Sequence, residues 1–136
     1  MNIYIFDTSL VVAVILKEND RAASFVKKIE RNVKNGKAKI VVPGFLLLEL
    51  SNALRFKIID KDKAERAFLS FFKIPVSLEN FTVGQVKEIQ GKAYEMGTTV
   101  YDTSYHYLAK MLDGVFITCD RNYFDKAKLW GNIKLV

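Results

Sequence analysis

The sequence predicts an α/β fold: a three-layer α/β/α sandwich with a central, mostly parallel sheet of about five strands, formed by residues 1–136. Short runs of β-branched and aromatic residues recur along the chain, and longer segments with apolar residues at helical spacing separate them. This alternation indicates βαβ units, whose crossover helices cover the faces of a parallel sheet. The chain has 136 residues, half of them hydrophobic, which is typical of one compact domain.

The N-terminal half is predicted to hold two strands and three helices. The first strand, at 3–6, is followed by an apolar run at 10–16 and a polar break at 17–20. Asp20 is expected to cap a helix that continues to about Asn35, since apolar side chains recur there every three or four residues. The remaining predicted elements are a strand at 40–42, a strongly apolar helix at 45–59 and a further helix at 61–72.

The C-terminal half continues the alternation. A weak strand is expected at 75–77. Gly97 is expected to end the helix at 82–96. The predicted elements after the weak strand are helices at 82–96 and 100–112, a strand at 115–118, a short helix at 120–129 and a last strand at 133–136.

Composition limits the class of protein. Cys119 is the only cysteine, which excludes an intramolecular disulfide and favours a reducing compartment. No basic segment precedes the first apolar run, and the run at 10–16 is too short to span a bilayer, so we expect a cytoplasmic protein with no membrane association. The formal net charge of +6 favours polyanionic partners such as nucleic acid.

Two carboxylates follow predicted strands. Asp7 comes directly after the first strand, and Asp120 lies two residues beyond the strand at 115–118. Ligands of open α/β sheets bind outside the carboxyl ends of the strands, so both acids are candidates for a functional site. Each could equally be only the N-cap of the helix that follows.

Two further carboxylates lie in helices. Glu49 stands in the apolar stretch 45–50, where burial of an ionised carboxylate requires protonation, a cationic partner or a metal ion. Asp102 lies beside the apolar stripe of the helix at 100–112, where an acid in the first turn also complements the helix dipole. A salt bridge to Arg or Lys is the alternative for Glu49.

The four acids Asp7, Glu49, Asp102 and Asp120 can converge at one edge of the sheet. Two like charges about 4 Å apart repel by roughly 4 kcal/mol at an effective dielectric near 20, so the cluster requires protons or cations. Oxygen ligands favour Mg²⁺ or Mn²⁺, and one His with one Cys gives no zinc site. His106 could pair with Asp102 or make a structural hydrogen bond. Cys119 is expected to fill space rather than attack a substrate. Asp125 could supply a fifth acid, but a solvated helix position is favoured.

The pattern resembles the PIN domain nucleases, and among them most the VapC-type toxins of prokaryotic toxin–antitoxin pairs. The ordered set covers nearly the whole chain. Its pieces are Ile5-Phe6-Asp7-Thr8-Ser9, Leu48-Glu49-Leu50-Ser51-Asn52-Ala53-Leu54, Tyr101-Asp102-Thr103-Ser104-Tyr105 and Ile117-Thr118-Cys119-Asp120-Arg121-Asn122. Thr103 is a small departure, because family members often have Ala there.

The resemblance implies a Mg²⁺- or Mn²⁺-dependent endoribonuclease that acts as the toxin of a type II toxin–antitoxin pair. All four acids would surround one or two ions, and the hydroxyls of Thr8 and Thr118 would support the acids or the scissile phosphate. It also implies a homodimer and an antitoxin partner. Basic residues must surround an acidic RNA-cleaving pocket, and the candidates are Arg55, Arg121, Lys27, Lys28, Arg31, Lys34 and Lys57.

Three alternatives remain open at this point. A receiver-type phosphoacceptor domain has paired acids after its first strand, whereas Asp7 stands alone. A non-catalytic module that binds RNA or protein, and a nuclease directed to DNA, are the other two. The aromatic stretch with Phe68, Leu69, Phe71 and Phe72 either packs within one subunit or contacts a second subunit or an antitoxin.

Overall fold

The computed structural model describes residues 1–136 and has an α/β fold with an entirely parallel five-stranded sheet. The strand order is β3-β2-β1-β4-β5. The strands are β1 (Asn2–Phe6), β2 (Ala38–Pro43), β3 (Val76–Glu79), β4 (Val115–Thr118) and β5 (Ile133–Leu135). The predicted fold class is therefore confirmed.

Seven α-helices connect or flank these strands, and the short 3₁₀ helix Lys128–Trp130 precedes β5. The α-helices are α1 (Thr8–Ile15), α2 (Asp20–Lys34), α3 (Leu46–Lys57), α4 (Lys61–Phe71), α5 (Val83–Met96), α6 (Val100–Met111) and α7 (Arg121–Ala127). Helix α6 packs across β1, β2 and β4, while α2 packs on β2 and α7 on β5.

The central strands β1 and β4 supply the middle of the core. Ile5, Phe6, Phe116 and Ile117 are almost completely buried there. Each of these two strands leads at its carboxyl end into a segment that bears an acid, because α1 follows β1 and α7 follows β4. Parallel pairing of β1 with β4, with Phe6 opposite Ile117, therefore puts both segments at the same edge of the sheet.

Gly114 permits the close entry of β4 beside β1. A Cβ atom at this position would lie 2.6 Å from the carbonyl oxygen of Ile3, well inside van der Waals contact. Only glycine allows two backbones to approach this closely. The residue thus helps to fix the pair of strands that carries Asp7 and Asp120.

The start of α2 differs from the prediction by one residue. The N-cap is Asn19, whose side chain accepts a hydrogen bond from the Ala22 backbone N–H, and Asp20 is the first helical residue. Asn and Asp cap helices about equally well, so the sequence alone did not decide between neighbours. Asp20 contributes instead as an acid in the first turn, next to the positive end of the helix dipole.

The aromatic stretch of α4 packs partly within the subunit. Phe71 is buried, and the rings of Phe68 and Phe71 lie 5.2 and 5.1 Å from that of Phe72. Leu69 is 61% exposed. None of the helices combines the length and apolar character needed to cross a bilayer.

Candidate active site

Asp7 links the end of β1 to the beginning of α1. One carboxylate oxygen, Oδ1, accepts a hydrogen bond from the Leu10 backbone N–H at 2.8 Å, which caps α1. The other, Oδ2, accepts from the Thr118 hydroxyl at 3.2 Å. Asp7 is therefore the N-cap that the sequence allowed, but only one of its two oxygens serves this purpose.

Burial, with a smaller contribution from the negative charges of Asp102 and Asp120, raises the pKa of Asp7 to about 7. The hydrogen bonds from Leu10 and Thr118 oppose this shift. The side chain is only 6% exposed. A carboxylate in this state gains stability from any cation that reaches it.

Thr118 joins the segments of Asp7 and Asp120. Its buried hydroxyl donates to Asp7 and accepts a hydrogen bond from the Asp120 backbone N–H at 3.0 Å. Asp120 in turn caps α7, because its Oδ1 accepts from the Tyr123 N–H at 3.0 Å. One hydroxyl thus fixes the first acid relative to the loop that carries the last one.

Glu49 is held by two hydroxyl groups. Its Oε1 accepts from Tyr105 Oη at 2.8 Å and from Thr8 Oγ1 at 3.1 Å, and these two hydroxyl oxygens lie 3.0 Å apart. Each hydroxyl has one proton, so only two of these three close oxygen pairs can be hydrogen bonds at the same time. Burial raises the pKa of the Tyr105 phenol, as do the charges of Glu49 and Asp7, so the hydroxyl stays protonated and donates.

Asp102 lies in the first turn of α6, which Thr99 caps by accepting from the Asp102 backbone N–H at 3.1 Å. Its carboxylate is partly buried. Burial raises its pKa, and the charges of Asp120 and Glu49 act in the same direction. As an acid in the first turn, Asp102 does complement the dipole of α6, as the sequence allowed. The helix dipole does not explain, however, why Asp102 lies near other negative charges.

None of the four acids forms an ion pair. All five ion pairs of the chain are made by other acids, so the alternative of a salt bridge at Glu49 is wrong. Instead, electrostatic repulsion connects Asp7 with Asp102 and Asp120, and Asp102 with Glu49. The negative charges of these acids therefore repel one another, and no Arg or Lys forms an ion pair with any of them.

No three His, Cys, Asp or Glu side chains lie close enough to form a metal-binding group. The chemistry of the donors nevertheless fits a divalent cation, since all four are carboxylates and Asp7 is buried without a cationic partner. Mg²⁺ takes one or two protein carboxylates, keeps several waters and uses substrate phosphates as further ligands.

Comparison with known proteins identifies the family. The family model described as PIN domain matches residues 4–129. The chain belongs to the PIN domain family. A search of curated proteins finds no match.

Solved structures share the PIN fold at low sequence identity. VapBC2 from Rickettsia felis, bound to a DNA fragment from its promoter, superposes with a TM-score of 0.71 at 17% identity, covering 98% of this chain and 97% of that one. PAE2754 from Pyrobaculum aerophilum gives 0.64 at 24% identity, covering 93% and 86%. DNA-bound VapBC from Salmonella typhimurium gives 0.69 at 15% identity, covering 100% and 98%.

The two predicted substrate-binding arginines differ in position within this PIN domain. Arg121 directly follows Asp120, is exposed and forms no ion pair. Arg55 lies in the last turn of α3, with its guanidinium 5.1 Å from the centre of the Phe56 ring. It lines a cleft between α3 and α4, so the structure shows it with apolar neighbours rather than with the acids.

His106 is not paired with Asp102. It is completely buried, with Nδ1 3.0 Å from Tyr123 Oη and Nε2 against the Gly131 carbonyl. The structural hydrogen bond, one of the two interpretations of the sequence, is therefore the correct one. Asp125 pairs with Lys128 on the surface, and Cys119 is a partly buried thiol whose pKa is raised by burial.

Sequence reasoning missed Tyr105 as a polar member of the PIN domain site. An aromatic residue among the apolar positions of this helix predicts only core packing, and the Tyr105 ring does pack 5.4 Å from that of Phe45. A signal was present, because residues three apart share a helix face and Tyr105 lies three positions after Asp102. Its hydroxyl partner Glu49 lies 56 positions away, which no local pattern reveals.

Proposed function

We propose that this PIN domain is a Mg²⁺- or Mn²⁺-dependent endoribonuclease and the toxin of a type II toxin–antitoxin pair. The observation that carries the proposal is the cluster of Asp7, Glu49, Asp102 and Asp120, whose charges affect one another without a cationic side chain among them. A protein that pays this electrostatic cost at a ligand-binding edge of its sheet gains from it only when cations bind.

The residues of the chain hold the acids in fixed orientations. Thr118 and the first turn of α1 orient Asp7, while Tyr105 and Thr8 orient Glu49. Asp7, Asp102 and Asp120 would hold the ions, with Glu49 as a direct or water-bridged ligand. A bound divalent cation lowers the pKa of water and stabilises the charge that develops on a phosphate.

The reaction would be hydrolysis of a phosphodiester bond. Water adds to phosphorus, the bond to the 3′ oxygen breaks, and the products carry a 5′-phosphate and a 3′-hydroxyl. The chain must also attract a polyanion to an acidic pocket. Its net charge of +6 supplies long-range attraction, and Arg121 is an exposed cation adjacent to Asp120.

The similar structures support the toxin and the antitoxin partner. VapBC from nontypeable Haemophilus influenzae and FitAcB from Neisseria gonorrhoeae also share the fold, at TM-scores of 0.66 and 0.61. Another match is described as a toxin–antitoxin complex from Klebsiella pneumoniae. Exposed apolar side chains suit a second subunit or an antitoxin, among them Leu48, Phe56, Ile59 and Leu69.

A cleavage assay with an Asp7→Asn variant tests the proposal. Asn retains the capping oxygen of Asp7 but removes the charge, so we expect cleavage of an end-labelled RNA pool to fall at least ~100-fold, beyond the 10- to 100-fold cost of losing an outer-shell partner of a metal ligand. The matched control is Asp62→Asn, which removes an exposed acid from the first turn of α4. EDTA should abolish cleavage by the wild-type chain.

Three outcomes would contradict the proposal. Cleavage by Asp7→Asn at the wild-type rate excludes the acid cluster as the active site. Cleavage that persists in EDTA excludes the metal. RNA binding without any cleavage in Mg²⁺ or Mn²⁺ indicates a non-catalytic module, and a parallel DNA substrate distinguishes a deoxyribonuclease.

A further inference from the structure

The outer face of α2 carries cations that the fold itself does not use. The helix buries Ala22, Val26 and Ile29 on its inner face. On the outer face Lys34 pairs with Glu30 at 3.0 Å. The remaining cations are exposed and form no ion pair: Arg21, Lys27, Lys28 and Arg31. Such an excess of one sign attracts a polyanion.

A shallow depression of about 330 Å³ lies on the first half of this face. It is lined by Asp20, Arg21, Ser24, Phe25 and Lys28. The ammonium of Lys134, an exposed side chain of β5, lies 4.8 Å from the centre of the Phe25 ring. The depression therefore combines an aromatic ring with three cations, Arg21, Lys28 and Lys134, and one opposing charge, Asp20.

The start of α2, beside this depression, contacts the segment that carries Asp120. The N-cap of α2, Asn19, donates from Nδ2 to Cys119 Sγ at 3.7 Å, and Cys119 immediately precedes Asp120. Helices α1 and α2 together connect the parallel strands β1 and β2. The Asn19–Cys119 contact puts the start of α2 near the carboxyl end of β4, and α2 then leads to Ala38 at the amino end of β2, so it runs back along the sheet. At 1.5 Å per residue, the cations from Arg21 to Arg31 extend about 15 Å away from that carboxyl end.

We propose that the depression and the basic face of α2 bind the single-stranded RNA that flanks the scissile bond. Arg21, Lys28 and Arg31 would contact phosphates along the strand, and a base would stack on Phe25 in place of the exposed Lys134 side chain. Proteins that bind single strands combine a basic track with an aromatic stacking platform in this way. The inference rests on the proposed function for its substrate, and it adds a binding site outside the acid cluster.

Binding measurements on Arg21→Gln/Lys28→Gln test this site, with every variant made in the Asp7→Asn background so that no RNA is cut. The matched control is Lys63→Gln/Arg66→Gln, which removes one Lys and one Arg from exposed positions on α4 that form no ion pair. Fluorescence anisotropy with labelled single-stranded RNAs of different length gives the Kd at several salt concentrations.

We expect the α2 variant to lose affinity for long RNA and the control to lose little. Two lost phosphate contacts should lower the slope of log K against log salt by about 1.4, which corresponds to a loss of up to ~25-fold at 0.1 M salt. RNA too short to reach from the acids to α2 should bind both variants equally. A second variant, Phe25→Leu, should weaken single-stranded RNA several-fold without affecting duplex RNA.

Equal affinities and equal salt slopes for the α2 variant and its control would overturn the inference. The inference would also be overturned if the α2 variant lost as much affinity for duplex RNA as for single-stranded RNA and Phe25→Leu bound both with unchanged affinity. These outcomes are independent of cleavage. The chain with Asp7 intact could cleave no RNA while the α2 variant still lost affinity for long RNA only. In that case the proposed function fails and the binding site is supported.

Discussion

Replacement of His106 by glutamine should make the stability of the chain less sensitive to acid. His106 lies on α6 and contacts Tyr123 of α7 and the Gly131 carbonyl. A carbonyl oxygen only accepts hydrogen bonds, so Nε2 carries the proton and Nδ1 accepts from the Tyr123 hydroxyl. Protonation would force a second N–H toward Tyr123 and place a charge in the core.

The sign and size of the effect follow from the pKa. Burial lowers the pKa of His106 from 6.5 to about 4, and the charges of Lys110 and Lys92 contribute in the same direction. The unfolded chain therefore binds more protons between these two values, so the contribution of His106 to stability is complete above pH 6.5 and is lost as the pH falls toward 4. Between pH 7.5 and 4.5 the loss is about 2.5 kcal/mol.

Urea denaturation of both chains at pH 7.5 and 4.5 measures this loss. The variant should be less stable at pH 7.5, because glutamine leaves part of the imidazole site empty, but the gap to the wild-type chain should narrow by about 2.5 kcal/mol at pH 4.5. Other titrating groups act equally in both chains and cancel in the comparison. If the difference in unfolding free energy between the two chains were the same at both pH values, the conclusion that His106 is buried as a neutral imidazole would be refuted.

Three further predictions concern the site itself. Tyr105→Phe removes the hydroxyl that orients Glu49 but keeps the ring, so kcat should fall about tenfold with KM little changed; a change in KM alone would contradict a positioning role. Thr118→Val leaves Asp7 without a hydroxyl donor and the Asp120 N–H without an acceptor, so the free energy of unfolding should fall by about 1–3 kcal/mol in urea titrations. Mg²⁺ at 100 times its Kd should stabilise the wild-type chain by about 2.7 kcal/mol, seen as a higher Tm that EDTA reverses. The Tm of Asp7→Asn should not respond, and an equal response of both chains would place the ion elsewhere.

Whether the chain binds a partner protein and whether it forms a dimer are two separate questions. Apolar side chains of α4 and of the loop before it line a cleft of about 670 Å³, and its polar lining residues are Ser51, Arg55, Lys61 and Glu65. A partner that covers this cleft would remove apolar surface from water. Sedimentation of the chain alone and with a co-expressed partner gives the oligomeric state of each.

The sequence by itself determined most of the local structure. The strand-forming runs and the apolar periodicity of the longer helices depend on residues close together in the chain, so most elements lie within a few residues of their predicted bounds. The exception is α1 (Thr8–Ile15), for which the apolar run at 10–16 did not predict a helix. Asn19 and Asp20 show the limit of this reasoning, because two neighbouring residues compete to cap α2 and only the backbone conformation selects Asn19.

The sequence also pointed to four acids, because carboxylates at strand ends or within apolar helices need a reason to be there. Whether they bind metal stays a prediction. Only the tertiary structure decided their partners. Tyr105 reaches Glu49, Thr118 reaches Asp7 from 111 positions away, and His106 turns to Tyr123 instead of Asp102. A hydrogen bond requires two atoms within about 3 Å, and between distant segments that distance is set by how the whole sheet and its helices pack.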